Sequence, residues 1–169
     1  MTRKRLSAPH VEGTCRENRA LNHGALLLSM PFSCAGKRPT NLGVEASRLT
    51  SCPSSPNCVS SDAVDSTHSI AAFALAIPPR DAWLAVRGSV ESLPRTKIIS
   101  ETDDYLHAEC TSAFFGFVDD LELHLRIAEG VTAVRSASRL GYSDLGVNRR
   151  RIEDLRALLI KRGIVGPLA

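Results

Sequence analysis

Leu121-Glu122-Leu123-His124-Leu125-Arg126-Ile127 is the stretch that decides the fold. Large apolar side chains alternate with polar ones. A strand would therefore place Leu121, Leu123, Leu125 and Ile127 on one face and Glu122, His124 and Arg126 on the other. A period of 3.6 would mix the two sets. The pattern predicts one buried and one solvated face, as in an antiparallel sheet.

Working outward, residues 97–101, 105–111 and 131–138 also read as strands, joined to 121–127 by short turns containing Asp or Gly. Connections this short make neighbouring strands antiparallel. Upstream, 69–77 alternates Phe73, Leu75 and Ile77 with alanines and predicts another strand, stopped by Pro78-Pro79. Trp83, Val86, Val90 and Leu93 then recur at helical spacing, with Pro79 suited to the first turn and Pro94 closing the segment. Downstream, Asn148 is placed to cap a helix whose stripe is Ile152, Leu155, Leu158 and Leu159, and Gly163 follows its end. The order β-α-β-β-β-β-α predicts an α+β domain, a mainly antiparallel sheet with its helices packed on one face.

The chain has 169 residues, 43% hydrophobic and 23% charged, which suits one globular domain with an appendage. Its expected division is a leader or tail over 1–34, a linker over 35–51, the domain over 52–163 and a C-terminal tail over 164–169. Of 21 basic and 18 acidic residues, five and two fall within the first 34, leaving sixteen of each beyond. The domain is thus neutral and lacks the electrostatic footprint of a nucleic-acid partner. The five cysteines, Cys15, Cys34, Cys52, Cys58 and Cys110, do not have zinc-site spacing, and neither a metal nor a cofactor is expected.

The first 24 residues are polar and basic, followed by the apolar run Ala25-Leu26-Leu27-Leu28-Ser29-Met30-Pro31-Phe32 and then Ser33-Cys34-Ala35-Gly36. That run is too short to span a bilayer. Basic residues, a short apolar run and small residues follow the order of an export signal, and Cys34 is the candidate for lipidation and peripheral membrane anchoring. A disordered tail with a chance apolar patch is the competing expectation.

Three groups of residues could carry chemistry. Cys52-Pro53-Ser54-Ser55-Pro56-Asn57-Cys58 holds two cysteines across a loop stiffened by prolines. A structural disulfide, formed in an oxidising compartment, or a pair of structural thiols is the favoured reading over a nucleophilic or shared metal site. His107 and Glu109 share one strand face, as do Glu122 and His124 in the neighbouring strand. The four could serve acid–base or metal-assisted chemistry, or form cross-strand pairs on a solvated face. The densest signal runs from Arg135 to Arg151 and packs five arginines, three serines and two glycines around the start of the last helix. Three arginines at a helix N-terminus oppose its dipole. Either a bound anion or fixed acidic partners, with Asp119, Asp120, Asp144 and Glu109 as candidates, would offset that cost.

Asn41-Leu42-Gly43-Val44, the Cys52 to Ser61 segment, Gly116-Phe117-Val118-Asp119-Asp120 and the arginine–serine segment together resemble domain-of-unknown-function family 1499 of bacteria and plastids, over about 41–163. Bacterial members commonly look like lipoproteins, with a cysteine followed by a segment similar to Ala35-Gly36-Lys37-Arg38-Pro39. The resemblance implies the same domain, favours export and implies no particular activity.

The leading expectation is a cell-envelope accessory or binding module. In it, Arg135, Ser136, Ser138, Arg139, Ser143, Asp144, Asn148 and Arg149 line a site for an anionic small molecule or lipid headgroup. Such a protein is periplasmic or lipid-anchored if the leader works and cytoplasmic otherwise. Two alternatives stand beside it: a hydrolase-like or metal-assisted enzyme using His107, Glu109 and His124, and a purely structural interaction domain. Nothing in the sequence signals an oligomeric state.

Overall fold

The computed structural model describes residues 34–113 and 115–167. The expected leader, apart from Cys34, lies outside the described residues. The elements run β1 (Val44–Glu45), β2 (Arg48–Leu49), β3 (Cys58–Ser60), β4 (Phe73–Ala74), α1 (Pro79–Glu91), β5 (Thr96–Glu101), β6 (Tyr105–Thr111), β7 (Val118–Arg126), a 3-10 turn (Ile127–Glu129), β8 (Val131–Ser138) and α2 (Val147–Lys161). Six strands make one sheet in the order β3-β8-β7-β6-β5, with β4 also on β8, and every pair is antiparallel. The α+β class, the four-strand meander and both long helices agree with the sequence.

Register fixes two faces. Leu106 opposes Leu123, which opposes Val134, and Ala108 opposes Leu121, so the apolar set of all three central strands points one way. Trp83, Val86 and Val90 of α1 and Ile152, Leu155 and Leu159 of α2 close on that set in a single core. Each such side chain contributes about 2 kcal/mol by leaving water. Pro79 starts α1, where its missing N–H costs nothing, and Gly163, at φ +69°, ends the turn after α2.

Four expectations need correction. The 69–77 strand shrinks to Phe73–Ala74, because β3 already occupies the 135–137 part of the β8 edge and leaves only Val131 and Thr132 to pair. Asn148 is not the cap of α2. Gly146 holds that place at φ 78°, and Asp144 accepts the Gly146 and Asn148 N–H groups at 3.0 and 2.7 Å. The stretch 35–51 is not a free linker, since Arg38, Gly43 and Leu49 bond to Glu109, Glu122 and Asp62. Ile164 and Val165, expected in a tail, are buried in the core.

Candidate functional site

The face of β7 opposite the core is where the chemistry gathers, and it is not solvated as the alternation predicted. Glu122 is 0% exposed and His124 7%, because the 34–50 stretch lies over this face and supplies partners to it. The antiparallel register stacks it in rungs: Tyr105 beside His124, His107 beside Glu122 and Arg135, and Glu109 beside Asp120 and Ala137.

A buried ionic layer results. Arg139 reaches back from just past β8 and donates from Nε and Nη2 to Asp120 at 2.9 and 2.6 Å, while Nη2 also donates to Glu109. His107 Nε2 lies 2.8 Å from the same Asp120 carboxylate. An ionised carboxylate only accepts, so Nε2 carries the proton. Arg38 donates to Glu109 from the covering stretch at 2.6 Å. Glu122 accepts from Arg135 Nη1 at 2.6 Å, the Tyr105 hydroxyl at 2.9 Å and the Gly43 N–H at 2.7 Å. Three carboxylates thus meet three guanidinium groups, which is the condition for ions to be tolerated away from water. Arg135 Nε alone among its atoms is buried without a partner among the described residues.

The layer sets its members' acidities. Burial on its own would raise the carboxyl of Asp120, but hydrogen bonds from Arg139 and His107 outweigh it and hold Asp120 below its ordinary range. Glu109 is held down the same way, burial being overcome by Arg139 and Arg38. Burial and the adjacent Glu122 carboxylate push the Tyr105 hydroxyl far up, so it remains a donor. Burial, with Arg126 next to it, lowers His124. His107, Glu109 and His124 therefore do share a face, as expected. They sit inside a covered layer, with His124 a rung away from His107 against the Arg126 guanidinium.

The arginine–serine segment divides between the two faces. Arg135 and Arg139 belong to the ionic layer. Ser136 and Ser138 point to the helix side, where Ser136 donates to the buried Asn148 amide at 2.6 Å and Asn148 Nδ2 donates to Ser138, Asp144 and the Asn57 carbonyl. Arg151 completes this second cluster with Asp119 at 2.6 Å. Arg149 donates to the Ser69 and Thr67 carbonyls. Ser143 lies exposed in the loop before α2. The eight residues expected to line one site thus spread over two faces and a loop.

A family model described as a protein of unknown function (DUF1499) matches residues 48–159. The chain belongs to the DUF1499 family. The match covers β2 to the end of the α2 stripe, so both polar clusters lie within the DUF1499 domain, while Arg38 and Gly43 reach it from outside the matched range. No curated protein and no solved structure matches the chain.

Cys52 and Cys58 form a disulfide, and Cys110 is a buried free thiol whose burial pushes its pKa up. A thiol so placed is a poor nucleophile. A groove of about 830 Å³ lies between the β1–β2 hairpin and residues 62–65. At its edge Asp62 accepts from Arg126 at 2.6 Å, from the Leu49 N–H at 2.9 Å and from Arg48 at 3.3 Å. No group of three or more His, Cys, Asp or Glu poised for a metal ion occurs among the described residues.

Several members of these clusters carried no signal. Arg38 sits in what reads as a linker, and Tyr105 at the first position of its strand. Arg156 is 3% exposed, donates to the Ala71 and Ala72 carbonyls and lies 4.9 Å from the Phe73 ring centroid. Its signal was an arginine interrupting the apolar stripe between Ile152 and Leu159.

Proposed function

We propose that this chain is an exported, disulfide-braced accessory module of the cell envelope that acts by contact and not by catalysis. The observation that carries the reading is that the charged side chains of the polar face are paired with one another. The side chains that could have served as acid, base or anion clamp hold one another: Arg139 on Asp120 and Glu109, Arg135 on Glu122, and His107 on Asp120. A hydrolytic or metal-assisted role for His107, Glu109 and His124 would need these groups open to substrate. Breaking the layer would leave uncompensated buried charges. An anion site on Arg135 and Arg139 meets the same obstacle, so the arginine–serine segment serves as internal bracing of the module. The Cys52–Cys58 bond supports export, because disulfides persist in oxidising compartments.

The test is mass spectrometry with thiol labelling on the protein isolated from its own membrane and soluble fractions. A mature N-terminus near Cys34 and an intact Cys52–Cys58 bond are expected. An unprocessed chain with Cys52 and Cys58 reduced would overturn the reading and return the domain to the cytoplasm.

A further inference from the structure

Among the described residues, five of the ten exposed large apolar side chains gather at one end of the sheet: Phe115 at 65% and Phe117 at 41% in the β6–β7 connection, and Tyr142 at 76%, Leu145 at 83% and Val147 at 40% after β8. The two loops are neighbours, since the Arg139 N–H donates to the Val118 carbonyl where β8 leaves and β7 begins. Val147, Ser112 and Ala113 also line one cleft. Of the other five, Val44 and Val64 line the groove beside the β1–β2 hairpin, and Leu84, Ile127 and Ile160 lie on other elements. Loop tips carrying aromatic and aliphatic groups, with no core to cover them, mark a contact surface.

We infer that this end of the domain seats on a membrane surface, with Phe115, Phe117, Tyr142 and Leu145 entering the headgroup region. The inference rests on the envelope reading above and names the partner for it. What selects a membrane is where the chain arrives. Cys34 is held at this same end by its N–H to the Phe115 carbonyl, and the next residues pass over it with Gly36 against Arg139 and Leu140. In sequence, the apolar run Ala25-Leu26-Leu27-Leu28-Ser29-Met30-Pro31-Phe32 ends two residues before Cys34. Export that ends in processing near Cys34 releases the chain from the membrane by this end, which leaves the aromatic loops membrane-proximal. Phe and Tyr with aliphatic neighbours suit the interface, where the ring is buried and the hydroxyl stays wet. Lys37, three residues after Cys34, and Arg150, three residues after Val147, are exposed and would face anionic headgroups.

The test uses the full chain and vesicles of phosphatidylethanolamine with phosphatidylglycerol. Trp83, the single tryptophan, is 7% exposed and reports on the core, so the probe is Tyr142→Trp, with Leu84→Trp on the exposed side of α1 as the comparison. Emission from the Tyr142→Trp chain should shift to the blue on vesicle addition and be quenched by brominated acyl chains. The Leu84→Trp chain should show neither change. Phe115→Ser with Leu145→Ser, both far from the core, should keep the unfolding midpoint and lower vesicle partitioning by about tenfold or more. Vesicle binding that survives this double substitution, with no quenching at position 142, would assign the attachment to the leader alone and overturn the inference. So would self-association in sedimentation that the double substitution abolishes without any lipid quenching, which would seat a second copy on the patch. The envelope reading is judged separately, by the processed N-terminus and the disulfide.

Discussion

Arg139 shows how much one side chain can organise. Its guanidinium satisfies Asp120 through two nitrogens and Glu109 through one, and Asp120 in turn fixes His107. A residue of this kind is costly to remove, because its partners remain buried and charged. Arg139→Met is expected to lower stability by about 3–5 kcal/mol in urea unfolding. Arg150→Met, at an exposed position next in the same segment, should change it by less than about 0.5 kcal/mol. If both substitutions proved equally mild, the layer would be ornament and Arg139 would again be available as a ligand residue. The sequence named Glu109 and Asp120 among the candidate acidic partners of the arginines, because a neutral domain with clustered arginine must supply carboxylates somewhere. It did not name Arg38 or Gly43, whose partners stand 71 and 79 residues away and leave no local trace.

At the scale of elements, legibility followed the length of the periodic signal. β6, β7 and the two long helices were readable because seven or more residues repeat one period. The β1–β2 hairpin was not, since its strands are two residues each and its turn is Ala46-Ser47, at φ 47° and 61°. Such turns usually announce themselves with Asn or Gly. The start of α2 was misread for a related reason. Asn148 has the right chemistry for a cap, but its amide is spent on the buried cluster with Ser136 and Ser138, and Asp144 takes over the orphan N–H groups. Asp144→Ala should therefore cost about 1–2 kcal/mol, seen as faster amide exchange in the first turn of α2. Ser143→Ala, which loses one 3.3 Å bond to the Leu145 N–H, should cost less than about 0.5 kcal/mol. Equal effects would mean that Gly146 and the loop hold the helix start without Asp144.

For the whole molecule, the ionic layer joins parts that the sequence separates. The covering stretch is fastened to the rest of the domain through Glu109, Glu122 and Asp62, and for Glu109 and Asp62, as for Asp120, the bonds depend on the ionised carboxylate. Their acidities give the sign of the pH response. Asp120, Glu109 and Asp62 lie below their ordinary values of 3.8, 4.5 and 3.8 in the folded chain. The unfolded chain therefore binds their protons first as acid is added. That part of the stability is complete above the ordinary values and disappears as pH falls through the lowered ones. His124 adds the same sign earlier, because its folded value lies below 6.5 and the unfolded chain gains that proton first. Urea midpoints should accordingly decline gently below pH 6.5 and steeply below about pH 4.5. In Arg139→Met the steep part should flatten, since Asp120 and Glu109 lose the partner that holds them down. A midpoint unchanged from pH 7 to pH 3 in the unsubstituted chain would mean that these carboxylates contribute nothing to closure, and the covering stretch would then be held by its backbone contacts alone.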